Sequence, residues 1–168
     1  MTKRVLVAYG SANGSTEGIA ETVARVLRQE GLLAEARPAR AVTGLNPYDA
    51  VIVGGALYTG RWHRDTRRFV RRYREDLAVR PVWFFSSGPL DDTASRRDIP
   101  PVPGVGKAMR RLDVREHVTF GGRLTEGAEG WMARMLLRDG KGGDFRDAAA
   151  TESWAARIAG ELKRTPYG

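Results

Sequence analysis

Two short runs in which every position is apolar, Val5-Leu6-Val7-Ala8-Tyr9 and Ala50-Val51-Ile52-Val53, constrain this chain more than any other feature. A strand with one face in water alternates apolar and polar residues, so a continuously apolar run is expected where helices cover both faces of a sheet. Pro81 to Phe85 is a third apolar strand; Val118 to Leu124, though not uniformly apolar, is expected as a fourth core strand, and Leu33 to Arg37 as a weaker one.

The segments between the runs read as helices. Thr16 to Glu30 sets Ile19, Ala20, Val23, Val26 and Leu27 at helical spacing, with Gly31 as the stop. Asn46-Pro47-Tyr48-Asp49 is turn chemistry ahead of the second core strand. Asp65 to Leu77 carries Phe69, Val70, Tyr73 and Leu77 on one helical face, and Thr151 to Lys163 carries Trp154, Ile158 and Leu162. Strands alternating with helices imply parallel pairing through right-handed crossovers, hence an α/β fold with an open, doubly wound sheet between two helical layers. Two stretches fit this plan poorly and are expected as long loops: Pro89 to Pro103, and the Gly-rich Thr125 to Asp147 with its apolar patch at Trp131, Met132, Met135, Leu136 and Leu137. A chain of 168 residues is the right size to bury one core, so residues 1–168 are expected to form a single domain.

The absence of cysteine excludes disulfides, thiolate metal sites and a cysteine nucleophile, so redox chemistry would require a bound cofactor. The apolar run near the start is too short for a signal-peptide core or a membrane span, which makes a cytoplasmic location the expectation. The formal charge of +8 is local: seven arginines (61, 64, 67, 68, 71, 72 and 74) stand against Asp65 alone between Arg61 and Arg74, a net +6.

The segment Tyr9-Gly10-Ser11-Ala12-Asn13-Gly14-Ser15-Thr16-Glu17 leaves the first strand and opens the first helix. Free amides at a helix N-terminus, the helix dipole, glycines and a cluster of hydroxyls make a neutral cradle for an anion such as a phosphate. No lysine follows Gly14, which separates the loop from the nucleotide-hydrolysing type. Its glycines, at 10, 14 and 18, miss the spacing of a dinucleotide fingerprint. A Ser/Thr-rich helix cap with turn glycines is the plainer reading of the same string.

On Ser11, Gly14 and Thr16 the chain resembles the flavodoxin family, whose loop after strand one reads T/S-x-T-G-x-T and binds the FMN phosphate; Asn13 stands where the family usually has Thr. The resemblance implies a flavodoxin-like fold with strand order 2-1-3-4-5 and a flavin-type cofactor, FMN. Ser11, Ala12, Asn13, Gly14, Ser15 and Thr16 would hold its phosphate. Ligands of such sheets sit outside the carboxyl ends of the strands, so Ala56, Leu57, Tyr58, Thr59, Gly60 and Trp62 after the second core strand, and Ser86, Ser87 and Gly88 after the third, would grip the ring. For Trp62 a core position is the competing reading, whereas Tyr58, flanked by Gly54, Gly55 and Gly60, is expected on flexible backbone. Arg61, His63 and Arg64 would lie near the ring edge and favour its reduced, anionic form.

The second half is similar to the menaquinone-dependent protoporphyrinogen oxidase branch of the flavodoxin superfamily. Phe120-Gly121-Gly122-Arg123-Leu124, Trp131 and the Met-rich patch, Gly142-Gly143-Asp144 and Thr151-Glu152-Ser153-Trp154 follow that branch in order, with fewer aromatic and basic residues over Thr125 to Arg138. This implies an electron-transfer protein or oxidoreductase working with a redox partner protein, a quinone or a small-molecule substrate. The arginine-rich segment motivates an alternative cofactor, the deazaflavin coenzyme F-420, whose polyanionic tail suits guanidinium groups. The same segment motivates a non-enzymatic binding module; nucleic acid is disfavoured because no nucleic-acid-binding fold accompanies it, and contact with the inner face of an anionic membrane is the other use. Of the histidines, His63 reads as a helix-start residue or a proton donor near the ring, and His117 as a surface residue. No nucleophile elbow or metal-ligand spacing occurs, and Asp91, Asp92, Asp144 and Asp147 read as turn and capping residues.

Overall fold

The computed structural model describes residues 2–11, 14–58, 61–88, 112, 114–121 and 145–164. Among them run β1 (Arg4–Gly10), α1 (Gly14–Gln29), β2 (Leu33–Pro38), a turn of 3-10 helix (Ala39–Ala41), β3 (Ala50–Tyr58), β4 (Arg61–Trp62), α2 (Arg64–Arg72), α3 (Arg74–Ala78), β5 (Val82–Gly88), β6 (His117–Gly121) and α4 (Phe145–Arg164).

The sheet order is β2-β1-β3-β5-β6, every neighbouring pair parallel. The two-residue β4 folds back antiparallel on the end of β3, off this path. With that hairpin return set aside, the order is the expected 2-1-3-4-5. The chain leaves β1 toward β2 on one side and re-enters at β3 on the other, so the sheet reverses direction between β1 and β3 and opens a crevice at their carboxyl ends.

Both faces are buried, as the apolar runs require. Val5, Val7, Tyr9, Ile52, Trp83 and Phe85 face the layer of α1 and α4, while Leu6, Ala8, Val51, Val53 and Phe84 face α2 and α3. Phe85, Phe120 and Trp154 pack with ring centroids 5.7 to 6.2 Å apart, most of them edge to face, and join β5 and β6 to α4. The Trp154 indole N–H donates to Glu116 at 3.0 Å, so this large ring has its polar edge satisfied.

Helix α1 ends as its sequence dictates. Gly31 takes φ +95°, the left-handed region that favours glycine; its amide reaches Arg28 O, and the Leu32 amide reaches Leu27 O, both at 3.0 Å. Two helix expectations are corrected. The single helix expected over 65–77 is broken at Tyr73 (φ −105°, ψ 23°), whose hydroxyl donates to Val42 O at 2.9 Å and holds the ring in the core. The last helix begins at Phe145, six residues ahead of Thr151. The expected loop 89–103 lies outside the described residues, as does 125–147 up to the start of α4.

Candidate functional site

The carboxyl edge of the sheet gathers the segments expected to bind a ligand. Ser11 follows β1, half-buried, and α1 starts at Gly14, two residues ahead of the expected Thr16. Ala12 and Asn13 lie outside the described residues, and Gly14 and Ser15 supply backbone of the first helical turn. Thr16 is fully buried in that turn, and its Oγ1 has no hydrogen-bond partner among the described residues. A buried hydroxyl without a partner costs on the order of 1–3 kcal/mol, and folded chains leave few of them.

Beside it, the Tyr9 hydroxyl donates to Glu17 Oε1 at 3.0 Å. Burial first, then this hydrogen bond and the charge of Glu17, push the phenol up to about 12. Tyr9 therefore stays a neutral donor that holds the carboxylate nearest the cradle.

Gly54 and Gly55 do not loosen the backbone near Tyr58, contrary to expectation. Both are interior residues of β3, paired with Tyr9 and Gly10 of β1 and with Phe85 and Ser86 of β5. Their role is close approach: a Cβ on Gly10 would stand 2.3 Å from Thr66 Oγ1 and 2.8 Å from the Thr66 amide, and one on Gly55 would stand 2.8 Å from the same hydroxyl. On the other face, a Cβ on Gly54 would meet the Phe85 ring at 1.9 Å. These glycines let the first turn of α2 seat directly on the end of β1 and the middle of β3, where Thr66 Oγ1 donates to Gly54 O at 3.1 Å.

Of the residues expected to grip a ring, Ala56 is buried, Leu57 is half-buried and Tyr58 is the last residue of β3; Thr59 and Gly60 lie outside the described residues. Trp62 takes the core position. It is 4% exposed, packs edge-on against Phe84 at 4.8 Å, and its Nε1 donates to Ser86 Oγ at 2.9 Å. Ser86 and Ser87 are buried at the end of β5, followed by Gly88.

His117, expected at the surface, is a correction. It sits on β6 with Nε2 2.8 Å from Ser86 Oγ, and burial pushes its imidazole down to about 4. Its Nδ1 is buried with no partner among the described residues. The signal was present in the sequence: His117 and Thr119 alternate with the apolar Val118 and Phe120, which places them together on one face of a covered strand. Trp62, Ser86 and His117 thus form one hydrogen-bonded chain across β4, β5 and β6. His63 takes its helix-start role, with Nδ1 accepting from the Asp65 amide at 3.1 Å. Among the described residues no group of three His, Asp or Glu side chains could hold a metal ion, and no helix is long and apolar enough to cross a membrane.

An open parallel sheet whose strand order reverses between β1 and β3, with the buried Thr16 hydroxyl in the first helical turn beneath the reversal, defines a doubly wound α/β protein. The family model described as Flavodoxin domain matches residues 6–140, and the chain belongs to that family. No curated protein matches the sequence. Among solved structures, Flavodoxin 1 from Bacillus cereus shares 16% identity at a TM-score of 0.63, covering 97% of this chain and 99% of that one. Flavodoxin 2 from the same organism shares 22% at 0.62, covering 95% and 99%. Rubredoxin oxygen:oxidoreductase from Desulfovibrio gigas shares 17% at 0.67; this chain is covered to 96% but spans only 36% of that chain. These likenesses are of fold. Family membership makes the chain a flavin-binding redox protein, and the partnerless Thr16 Oγ1, buried in the first turn of α1, fits the phosphate of such a cofactor.

Proposed function

We propose that the chain is an FMN-dependent redox protein that holds the ribityl phosphate with Ser11 to Thr16 and the ring between the β3–β4 turn and the end of β5. The observation that carries this reading is the orphaned Thr16 hydroxyl, a buried donor at the positive end of α1 that a phosphate oxygen would satisfy. Bound FMN would supply one- and two-electron chemistry at its ring. The chain's own contribution is positional: the α1 amides and Thr16 orient the phosphate, the Gly54, Gly55 and Gly10 contacts fix the strand ends, and the Trp62–Ser86–His117 chain stiffens the floor beneath the ring. On the resemblance over 120–154, a porphyrinogen would be the electron donor and a quinone the acceptor.

The test is the visible spectrum of the purified protein mixed separately with FMN and with coenzyme F-420, then passed through gel filtration. A two-band oxidised flavin spectrum that travels with the protein supports the reading. Retention of the deazaflavin alone, or of neither, overturns it.

A further inference from the structure

The arginine segment folds into one exposed surface. Arg61 on β4, Arg64, Arg67, Arg68, Arg71 and Arg72 on α2, and Arg74 at the start of α3 are all exposed. At 100° per residue, the five on α2 fall within about 140° of the helix circumference, opposite Thr66 and Phe69, which face the core. None of the seven pairs with a carboxylate among the described residues. The carboxylate of Asp65, the acid among them, lies 3.8 Å from Arg40, an eighth exposed arginine on the neighbouring 3-10 turn. Arg64 and Arg68, Arg67 and Arg71, and Arg68 and Arg72 are like-charge neighbours one turn apart, an arrangement that destabilises an isolated helix. The repulsion is relieved when carboxylates of another molecule are laid across the face.

Position narrows the partner. Thr66, in the first turn of α2, sits against Gly10 at the end of β1 and Gly54 and Gly55 within β3, so the basic face begins near the edge where the cofactor is proposed to sit. Its contents narrow it further. The exposed large apolar residues among those described are Leu33 and Val79, neither on α2, so the face offers no anchor for insertion into a lipid bilayer. Trp62 and Tyr73 are buried, which leaves no exposed aromatic among the described side chains of the face for stacking on bases. A dense set of exposed guanidinium groups, one of which, Arg72, lies over the buried Tyr73 ring, matches a carboxylate-rich protein surface.

We infer that the Arg61–Arg74 face is the docking surface for a small acidic electron-transfer protein, brought by charge to the cofactor edge. The redox role of that partner rests on the flavin reading, but the docking does not. The test measures binding of a fluorescently labelled acidic [2Fe–2S] ferredoxin to the full chain, with and without FMN. Affinity is expected to fall about tenfold or more between roughly 0.05 and 0.3 M NaCl, and by a similar factor at low salt in Arg68→Glu/Arg71→Glu/Arg72→Glu. Arg164→Gln, on α4 across the sheet, should leave it unchanged. Basic cytochrome c should bind the triple variant and not the wild type. Ferredoxin affinity indifferent to the triple variant overturns the inference. So does tighter, arginine-dependent binding of phosphatidylglycerol vesicles or of a short DNA duplex. A chain that binds ferredoxin in this way but no FMN would keep the docking surface and discard the flavin reading.

Discussion

The phenol of Tyr9, one residue before the end of β1, donates a 3.0 Å hydrogen bond to Glu17 in the first turn of α1, bridging the two elements that frame the proposed phosphate cradle. Tyr9→Phe removes that donor and should cost about 1 kcal/mol of stability in urea unfolding. The pH dependence has a definite sign. A phenol raised to about 12 in the fold, against 10.0 for the free group, contributes stability that is complete below pH 10 and is lost as pH climbs to 12. Tyr9→Phe should flatten that part of the profile. Glu17→Gln keeps an acceptor for Tyr9 but removes a negative charge beside the anion, so FMN should bind about threefold tighter; weaker binding would place the carboxylate in a supporting role instead.

Thr16→Val replaces the orphaned hydroxyl with a methyl of similar size. Removing a buried, unsatisfied group should raise the stability of the cofactor-free protein by about 1 kcal/mol, while FMN affinity falls about tenfold or more. The opposite signs are the point of the measurement: a variant that loses stability without losing FMN would show Thr16 to be a packing residue.

The glycines at the strand ends give a contrast in sign. Gly10→Ala would set a Cβ 2.8 Å from the Thr66 backbone amide, an atom that cannot swing aside, and should destabilise by about 1–3 kcal/mol. Gly18, on the exposed side of α1, has nothing within 4 Å of an added Cβ. Gly18→Ala should stabilise by about 0.4–1 kcal/mol through helix propensity and a less flexible unfolded chain. Thermal unfolding of the two variants, side by side, checks both.

His117 should govern part of the acid response. An imidazole held near 4 by burial, against 6.5 when free, contributes stability that is present above pH 6.5 and is lost as pH falls through 4. The urea midpoint of the wild type should drop over that window, and His117→Gln should drop less. Equal slopes would mean that other groups carry the acid sensitivity.

If Arg61 and Arg64 stand at the ring edge, they favour the negatively charged reduced cofactor. Arg61→Gln/Arg64→Gln should then lower the two-electron potential of the FMN-loaded protein by about 30 mV, a tenfold change in the equilibrium. An unchanged potential in a spectroelectrochemical titration would place the arginines too far away to act.

The central strands were legible because burial on both faces leaves no polar position to confuse the pattern. β2 was weaker for a physical reason: it is an edge strand, with Leu33 and Arg37 exposed and the rest half-covered, so its alternation is blurred. The proposed phosphate cradle is a local reading, carried by consecutive residues at a helix start, and the structure does start α1 there, at Gly14. The rest of the site depends on pairing across the sheet. Nothing near Trp62 in sequence announces Ser86, and nothing near Ser86 announces His117; the parallel register of β5 and β6 and the β4 return bring them together. The break at Tyr73 is likewise tertiary, fixed by a carbonyl 31 residues away.

The seating of α2 through Thr66 on bare glycine backbone separates the two sides of that helix. The inner side tolerates almost no change in shape, whereas on the outer side Arg67 Nε donates to Trp62 O at 3.0 Å and Arg72 lies over the Tyr73 ring, and Arg68 and Arg71 stand as exposed charges between them. Arg68 and Arg71 are therefore the exchangeable positions: acidic or neutral residues there could redirect which molecules approach the crevice, with the Arg67 and Arg72 contacts and the crevice itself left intact.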